Sequence, residues 1–217
     1  MSRGAFITLE GGEGVGKSTQ LTLLASWLEQ AGAEVVSLRE PGGTPVGDRI
    51  RTLLLDPAYE GMAPRAELLL YEASRAELVA SVIRPALERG AFVVCDRFAD
   101  SSTAYQAYGR ELPLADVLEM NRLATGGLEP DLTVILDFDP IEGVRRATAM
   151  HGADRLEAED AAFHRRVRAG FLTIAALAPD RCRVVDACGT PEEVASALLE
   201  AALTLPAIAA ISPEDAR

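Results

Sequence analysis

The residues most able to do chemistry open the chain. Gly11-Gly12-Glu13-Gly14-Val15-Gly16-Lys17-Ser18 fits the spacing G-x-x-x-x-G-K-[ST] at each fixed position, and Thr19 follows it. Glycines let consecutive backbone N–H groups curl around an anion, and a helix beginning there adds the partial positive charge of its N-terminus. Lys17 would reach the terminal phosphates of a nucleotide, and the Ser18 hydroxyl would ligate Mg²⁺. A second group is Asp96-Arg97, at the end of an apolar run. The Arg can fork onto a phosphate while the Asp holds a metal-bound water or orients the Arg; the pair also reads as a solvated surface ion pair. Tyr71 and Arg75 are four apart and share a helix face, suiting a stacked base and a paired phosphate, or a core ring beside a surface charge. Ser101-Ser102-Thr103-Ala104-Tyr105-Gln106 puts hydroxyls, a phenol and an amide on successive turns. These can read a base edge, although Ser101 or Ser102 serves equally as an N-cap, and spacing alone does not decide. Residues 150–157, with Gly152 and Arg155, interrupt two helices. The break suggests a mobile lid that brings positive charge to a phosphoryl in flight, or simply a solvated turn. His151 and His164, the only histidines, receive no role.

Five apolar stretches must carry these groups: 5–9, 34–38, 91–95, 132–136 and 182–186. Three are near-continuous apolar runs, as strands buried on both faces of a parallel sheet require. Helices are expected over about 17–31, 45–55, 65–89, 99–108, 114–124, 140–149, 157–178 and 191–203. The alternation predicts an α/β fold, a doubly wound five-stranded parallel sheet flanked by helices. In such sheets ligands bind beyond the carboxyl ends of the strands. The phosphate loop follows the first strand there, Arg39-Glu40-Pro41-Gly42-Gly43-Thr44 the second, and Asp96-Arg97-Phe98 the third. A single domain is expected over 1–204, its lid at about 149–157, with a flexible tail over 205–217.

Composition narrows the partners. The net charge is −12, with 33 acidic against 21 basic residues. So acidic a chain is a poor candidate for gripping nucleic acid, and an anionic ligand would need a local Arg and Lys cluster to reverse the field. No apolar run approaches the ~18 residues of a membrane span, and residues 1–20 have no secretory apolar core. Three cysteines without a C-x-x-C pair suit a reduced cytoplasmic setting.

The motifs, taken together and in order, resemble bacterial thymidylate kinases from Phe6 to about Leu203. They are the phosphate loop, Arg39-Glu40-Pro41-Gly42-Gly43-Thr44, Leu68-Leu69-Leu70-Tyr71 through Arg75, Asp96-Arg97-Phe98 with Ser101 through Gln106, Pro130-Asp131-Leu132-Thr133, and Asp154-Arg155-Leu156-Glu157. The resemblance implies a P-loop kinase architecture with a short lid. It implies transfer of the ATP γ-phosphoryl to dTMP, giving dTDP, with Mg²⁺, in a cytoplasmic homodimer. Lys17 and the amides of Gly11, Gly12, Glu13, Gly14, Val15, Gly16 and Thr19 would hold the ATP phosphates, and Ser18 with Asp96 the metal. Arg97, with Arg75 and Arg51, would hold the dTMP phosphate in line, and Glu13 would lie near the acceptor's sugar and the metal waters. Tyr71 would stack on thymine, Ser102 and Gln106 would read its edge, and Tyr105 would crowd the 2′ position; Glu40 and Ser101 fall on the same acceptor side. Arg155 would be the lid arginine, with Arg146 behind it on the ATP side. Two positions depart from the family pattern. Tyr71 stands where Phe is more usual, and the lid lacks the further basic residues that relatives often carry near Thr148 and Met150. Two other readings fit the phosphate loop alone: a kinase for another small acceptor, and a non-catalytic nucleotide switch. The guanine motif Asn-Lys-x-Asp of GTPase switches does not occur.

Overall fold

The computed structural model describes residues 4–151 and 153–211, apart from the side chains of Met150 and His151. Five strands, β1 (Phe6–Gly11), β2 (Val35–Arg39), β3 (Phe92–Asp96), β4 (Leu132–Asp137) and β5 (Cys182–Asp186), form one all-parallel sheet in the order β2-β3-β1-β4-β5. β1 is central and buried along its whole length, pairing Leu9 with Asp96 on one side and with Val134 on the other. The register places the phosphate loop, Arg39 and Asp96 along one carboxyl edge.

Alternation along the strands sorts the two faces. Ile7, Leu9, Val94, Val134 and Leu136 pack under α1 (Lys17–Gln30) and α9 (Pro191–Ala202). Phe6, Val93 and Cys95 face α3 (Pro64–Leu78) and α4 (Arg84–Glu88), while Ile135 faces α8 (Ala161–Leu177). On that second face Thr8 and Glu10 are fully buried, and Thr8 meets Thr133 hydroxyl to hydroxyl at 2.9 Å.

Helix boundaries follow caps. α2 (Pro45–Leu55) begins with Pro45 behind Thr44, whose hydroxyl accepts from Gly47 N; α9 has a Thr190/Glu193 capping box. α1 has no side-chain cap at Gly16, so its first N–H groups stay available to a ligand. Three boundaries differ from expectation. The helix expected from 157 starts at Ala161, because Asp160 caps it by accepting from Phe163 N at 2.7 Å. The helix expected over 65–89 widens into a π turn at Val79–Ile83, just ahead of Pro85, which has no N–H to donate. The helix expected over 99–108 is α5 (Ala99–Ser102) continuing into a π segment, Thr103–Gly109. The expected tail is also corrected in part: α10 (Pro206–Ala209) forms, and Ile208 is fully buried against the β1–α1–α9 core. Gly152 of the expected lid and residues 212–217 of the tail lie outside the described residues.

Candidate active site

The phosphate loop is shaped by backbone contacts. Gly11, Gly14 and Gly16 have φ of 134°, 63° and 94°. The loop also meets the first turns of α7 (Pro140–His151) so closely that a Cβ on Gly14 would lie 2.0 Å from Gly143 O. Only glycine fits there, and Gly143 is a requirement that the motif itself does not announce. Lys17 is 7% exposed, and its ammonium donates to Gly12 O at 2.5 Å and Gly11 O at 3.3 Å. Burial and the nearby Arg97 charge push its pKa down. A phosphate dianion arriving in the loop would restore it.

Among the cavities of the described residues along the carboxyl edge, two gather the residues expected at the site. A trough of about 940 Å³ runs from Glu13–Thr19 past Arg39, Arg51, Asp96 and Arg97 to Arg145 and Arg146 on α7. A more enclosed pocket lies beside it, lined by Tyr71, Ser101, Ser102, Tyr105 and Gln106 among others. Glu13, Glu40, Arg51, Leu55, Arg97 and Asp154 line both, so the two spaces meet at those residues. Gly11 and Gly12 do not line the trough; their carbonyls hold Lys17 instead.

Arg97 is the hub of that junction. Its backbone sits at φ 74°, a left-handed conformation that costs a non-glycine residue ~1–2 kcal/mol. The turn it makes aims the guanidinium back across β1. Nη1 donates to Gly11 O at 2.9 Å and Ser101 Oγ at 3.2 Å; Nη2 donates to Glu13 Oε1 at 2.8 Å and Tyr105 OH at 3.1 Å. The Tyr105 hydroxyl in turn donates to Glu13 Oε1 at 2.7 Å. Burial alone would raise the Glu13 pKa, but Arg97 and Lys17 outweigh it and bring it down to about 2. Glu13 is therefore a fixed anion, and it balances two cations until a ligand supplies negative charge.

Behind the loop, Glu10 accepts from Phe98 N at 2.7 Å and Ser101 Oγ at 2.6 Å. Burial, reinforced by Asp100, pushes its pKa up to about 8. Glu10 thus pins the Asp96-Arg97-Phe98 turn to the root of the phosphate loop.

A metal would find hard oxygen donors at the trough. Ser18 Oγ donates to Asp96 Oδ2 at 2.8 Å, and both residues line it. Among the described residues no cluster of three or more His, Cys, Asp or Glu side chains stands together as a metal cage. One hydroxyl and one carboxylate beside a phosphate site fit Mg²⁺, which keeps several waters and shares its coordination with phosphate oxygens.

In the pocket, Tyr71 forms one wall, and its hydroxyl has no hydrogen-bond partner among the described residues. Arg51 lines pocket and trough, with Nη1 donating to Pro41 O at 3.1 Å. Arg75, expected beside the dTMP phosphate, lines neither cavity. It is 1% exposed, and Nε donates to Glu40 at 2.8 Å, Nη1 to Glu72, Ser102 and Asn121, and Nη2 to Phe98 O. Five buried acceptors consume its fork, so it holds Glu40 and Ser102 in the pocket wall. Arg155, expected as the lid arginine, also stands apart from the two cavities. It is buried and donates Nε to Leu54 O at 2.7 Å and Nη1 to Glu67 Oε2 at 2.5 Å. The cations that segment 140–157 turns to the trough are Arg145 and Arg146. Arg146 lies over the Phe138 ring at 4.1 Å, with Glu142 at 3.5 Å. Sequence reasoning missed Arg39, at the end of β2 on the trough, and Glu67, a fully buried carboxylate on α3. The Arg39 position was legible as a strand-end cation, whereas Glu67 has no local signal.

Comparison with known proteins puts the chain in company. Residues 9–198 match the family model described as Thymidylate kinase. A curated thymidylate kinase of Deinococcus radiodurans is 55% identical over 194 residues, covering 89% of this chain and 94% of that one. That of Gloeobacter violaceus is 54% identical over 199 residues, covering 89% and 93%. Among solved structures, a thymidylate kinase from Ehrlichia chaffeensis superposes with a TM-score of 0.74 at 34% identity, over 91% of this chain and 98% of that one.

Proposed function

The chain belongs to the thymidylate kinase family, and we propose that its two cavities seat the two nucleotides of one reaction, ATP along the trough and dTMP in the pocket. The reaction is transfer of the ATP γ-phosphoryl to dTMP, giving dTDP and ADP. The observation that carries the assignment of places is the shared wall. Arg97 and Arg51 line both spaces where they meet, so the acceptor phosphate and the transferring phosphoryl would lie against the same guanidinium groups.

Little covalent chemistry is asked of the protein in phosphoryl transfer; the work is positioning and charge neutralisation. Lys17 and the amides of residues 13–19 hold the ATP phosphates, exchanging the Lys17 bonds to Gly11 and Gly12 for phosphate oxygens. Ser18 and Asp96 would hold Mg²⁺, which when bound would supply neutralisation of phosphate charge. Arg97, backed by Arg51, grips the dTMP phosphate. Glu13 and Tyr105 fix the Arg97 fork, and the Tyr105 ring crowds the sugar. Tyr71 stacks on the base, and Ser102 and Gln106 read its edge. Arg145 and Arg146 supply the positive charge of the closing segment, the part first expected from Arg155. We assign a single kinase domain to 1–204, with the segment around 149–157 as its lid.

Exposed leucines on neighbouring helices, Leu69 on α3 and Leu118 and Leu123 on α6 (Leu114–Thr125), support a homodimer. No helix among the described residues is long and apolar enough to cross a membrane, which suits a cytoplasmic enzyme. The test of function is coupled ADP release with dTMP, dUMP, dCMP, dAMP and thymidine as acceptors. Preference for dTMP is expected. Turnover restricted to a different acceptor, or ATP hydrolysis with no transfer to any, contradicts the reading.

A further inference from the structure

We propose that Glu67 sets which bases the pocket accepts, by holding the Gln106 amide with its carbonyl oxygen turned to the cavity. The inference rests on the reading of the pocket as a nucleobase seat. Glu67 does not line that pocket. It stands behind it on α3, 0% exposed, and four N–H groups converge on its carboxylate. Gln106 Nε2 donates to Oε1 at 2.8 Å, Arg110 Nε and Nη2 donate at 3.2 and 3.1 Å, and Arg155 Nη1 donates to Oε2.

A side-chain amide is nearly symmetric in shape, so its neighbours decide which end points where. An ionised carboxylate only accepts hydrogen bonds. Two guanidinium groups keep Glu67 ionised in its buried setting: burial would raise its pKa, but the bonds from Arg110 and Gln106 and the charges of Arg110 and Arg155 bring it below the usual range. Turned over, Gln106 would set its carbonyl oxygen against that carboxylate at the same 2.8 Å, an unpaired buried contact of like polarity. The NH₂ end is therefore fixed inward, and Oε1, which takes no hydrogen bond among the described residues, is presented by a residue that lines the pocket.

The second edge-reading residue is set the opposite way. Ser102 Oγ accepts from Arg75 Nη1 at 3.0 Å, so its hydroxyl proton remains free to be given. A buried anion thus leaves an acceptor at Gln106, and a buried cation leaves a donor at Ser102. That pair is complementary to a pyrimidine whose ring N3 carries a hydrogen beside a carbonyl, as in thymine and uracil. Cytosine offers a bare N3 beside an amino group, which reverses both partners. A site built around such bonds rejects the mismatched base strongly, because its own polar groups are then left unpaired.

Glu67 acts through Gln106, so the test reads specificity as well as rate. Glu67→Gln keeps the shape but offers a carbonyl and an amino end, which frees the Gln106 amide to turn. The measurement is kcat/KM for dTMP and for dCMP. In Glu67→Gln the dTMP-to-dCMP ratio is expected to fall about tenfold or more, chiefly through a higher KM for dTMP. Glu67→Asp, which keeps the acceptor-only end, is expected to retain more of the ratio than Glu67→Gln. A folded Glu67→Gln whose ratio stays within about twofold of the unmodified protein overturns the proposal, as does an equal loss in both variants. Should Glu67→Gln not fold, competition by N3-methyl-dTMP on the unmodified protein decides: binding about tenfold weaker than dTMP supports an acceptor facing N3, and equal binding overturns it. Absence of any dTMP turnover by the unmodified protein would fail the kinase reading itself. Normal turnover with an unmoved ratio fails only the role of Glu67.

Discussion

Arg97 concentrates the chemistry into one side chain, and its left-handed backbone shows what holds it there. Four anchors, Gly11 O, Ser101, Glu13 and Tyr105, fix the fork before any ligand arrives, so little side-chain entropy is left to lose on binding. Arg97→Ala should raise KM for dTMP and lower kcat together, by about tenfold or more each, because positioning and charge are lost at once. Unaltered dTMP kinetics would remove Arg97 from the junction. Arg155 and Arg146 should part company under the same substitution. Arg155→Ala breaks a buried ion pair with Glu67 and is expected to destabilise the fold by ~3 kcal/mol. Arg146→Ala, half-exposed on the trough, should leave the melting temperature nearly unchanged and lower kcat by about tenfold or more. A reversed pattern, kcat lost in Arg155→Ala with stability intact, would restore Arg155 to the lid. The separation was not legible from sequence: Asp154-Arg155-Leu156-Glu157 reads as a solvated charged turn, and its true partner, Glu67, lies 88 residues away.

Among the elements, what was legible was whatever has a local period or a local cap. The strands read correctly because β1, β3 and β4 are near-continuous apolar runs, buried on both faces. The π segment Thr103–Gly109 was not legible, since widening a helix leaves no mark on a 3.6-residue pattern; yet it carries Tyr105 and Gln106 to the pocket. α10 was missed because four residues give no period, although Ile208 seals the β1–α1–α9 core. Ile208→Ala is therefore expected to cost ~2–4 kcal/mol, read as a lower urea midpoint, and an unchanged midpoint would return this segment to a frayed tail. Glu10 ties β1 to the Asp96-Arg97-Phe98 turn, and its raised pKa has a stability consequence. Between the ordinary 4.5 and about 8 the folded chain binds a proton that the unfolded chain has released. Stability from this group is complete at the acid end of that window and declines as pH rises through it. Glu10→Gln should flatten the decline in urea midpoint between pH 5 and 8. An equally steep decline in the variant would place its origin elsewhere.

At the scale of the whole molecule, an acidic chain of net charge −12 has to bind two polyanions at once. The sheet solves this by gathering Lys17, Arg39, Arg51, Arg97, Arg145 and Arg146 around one trough at its carboxyl edge. Cavity and trough share a wall, so the two nucleotides would lie end to end with phosphates facing across Arg97 and Arg51. A single molecule joining adenosine to thymidine through five phosphates fits both seats without the entropy cost of gathering two ligands. Calorimetric titration with that compound is the most direct test. It is expected to bind at least about 100-fold more tightly than ATP or dTMP alone, with one site per chain, and Arg97→Ala should erase most of the gain. Binding no tighter than that of ATP alone would mean that the two seats do not face one another, and the end-to-end arrangement would be contradicted.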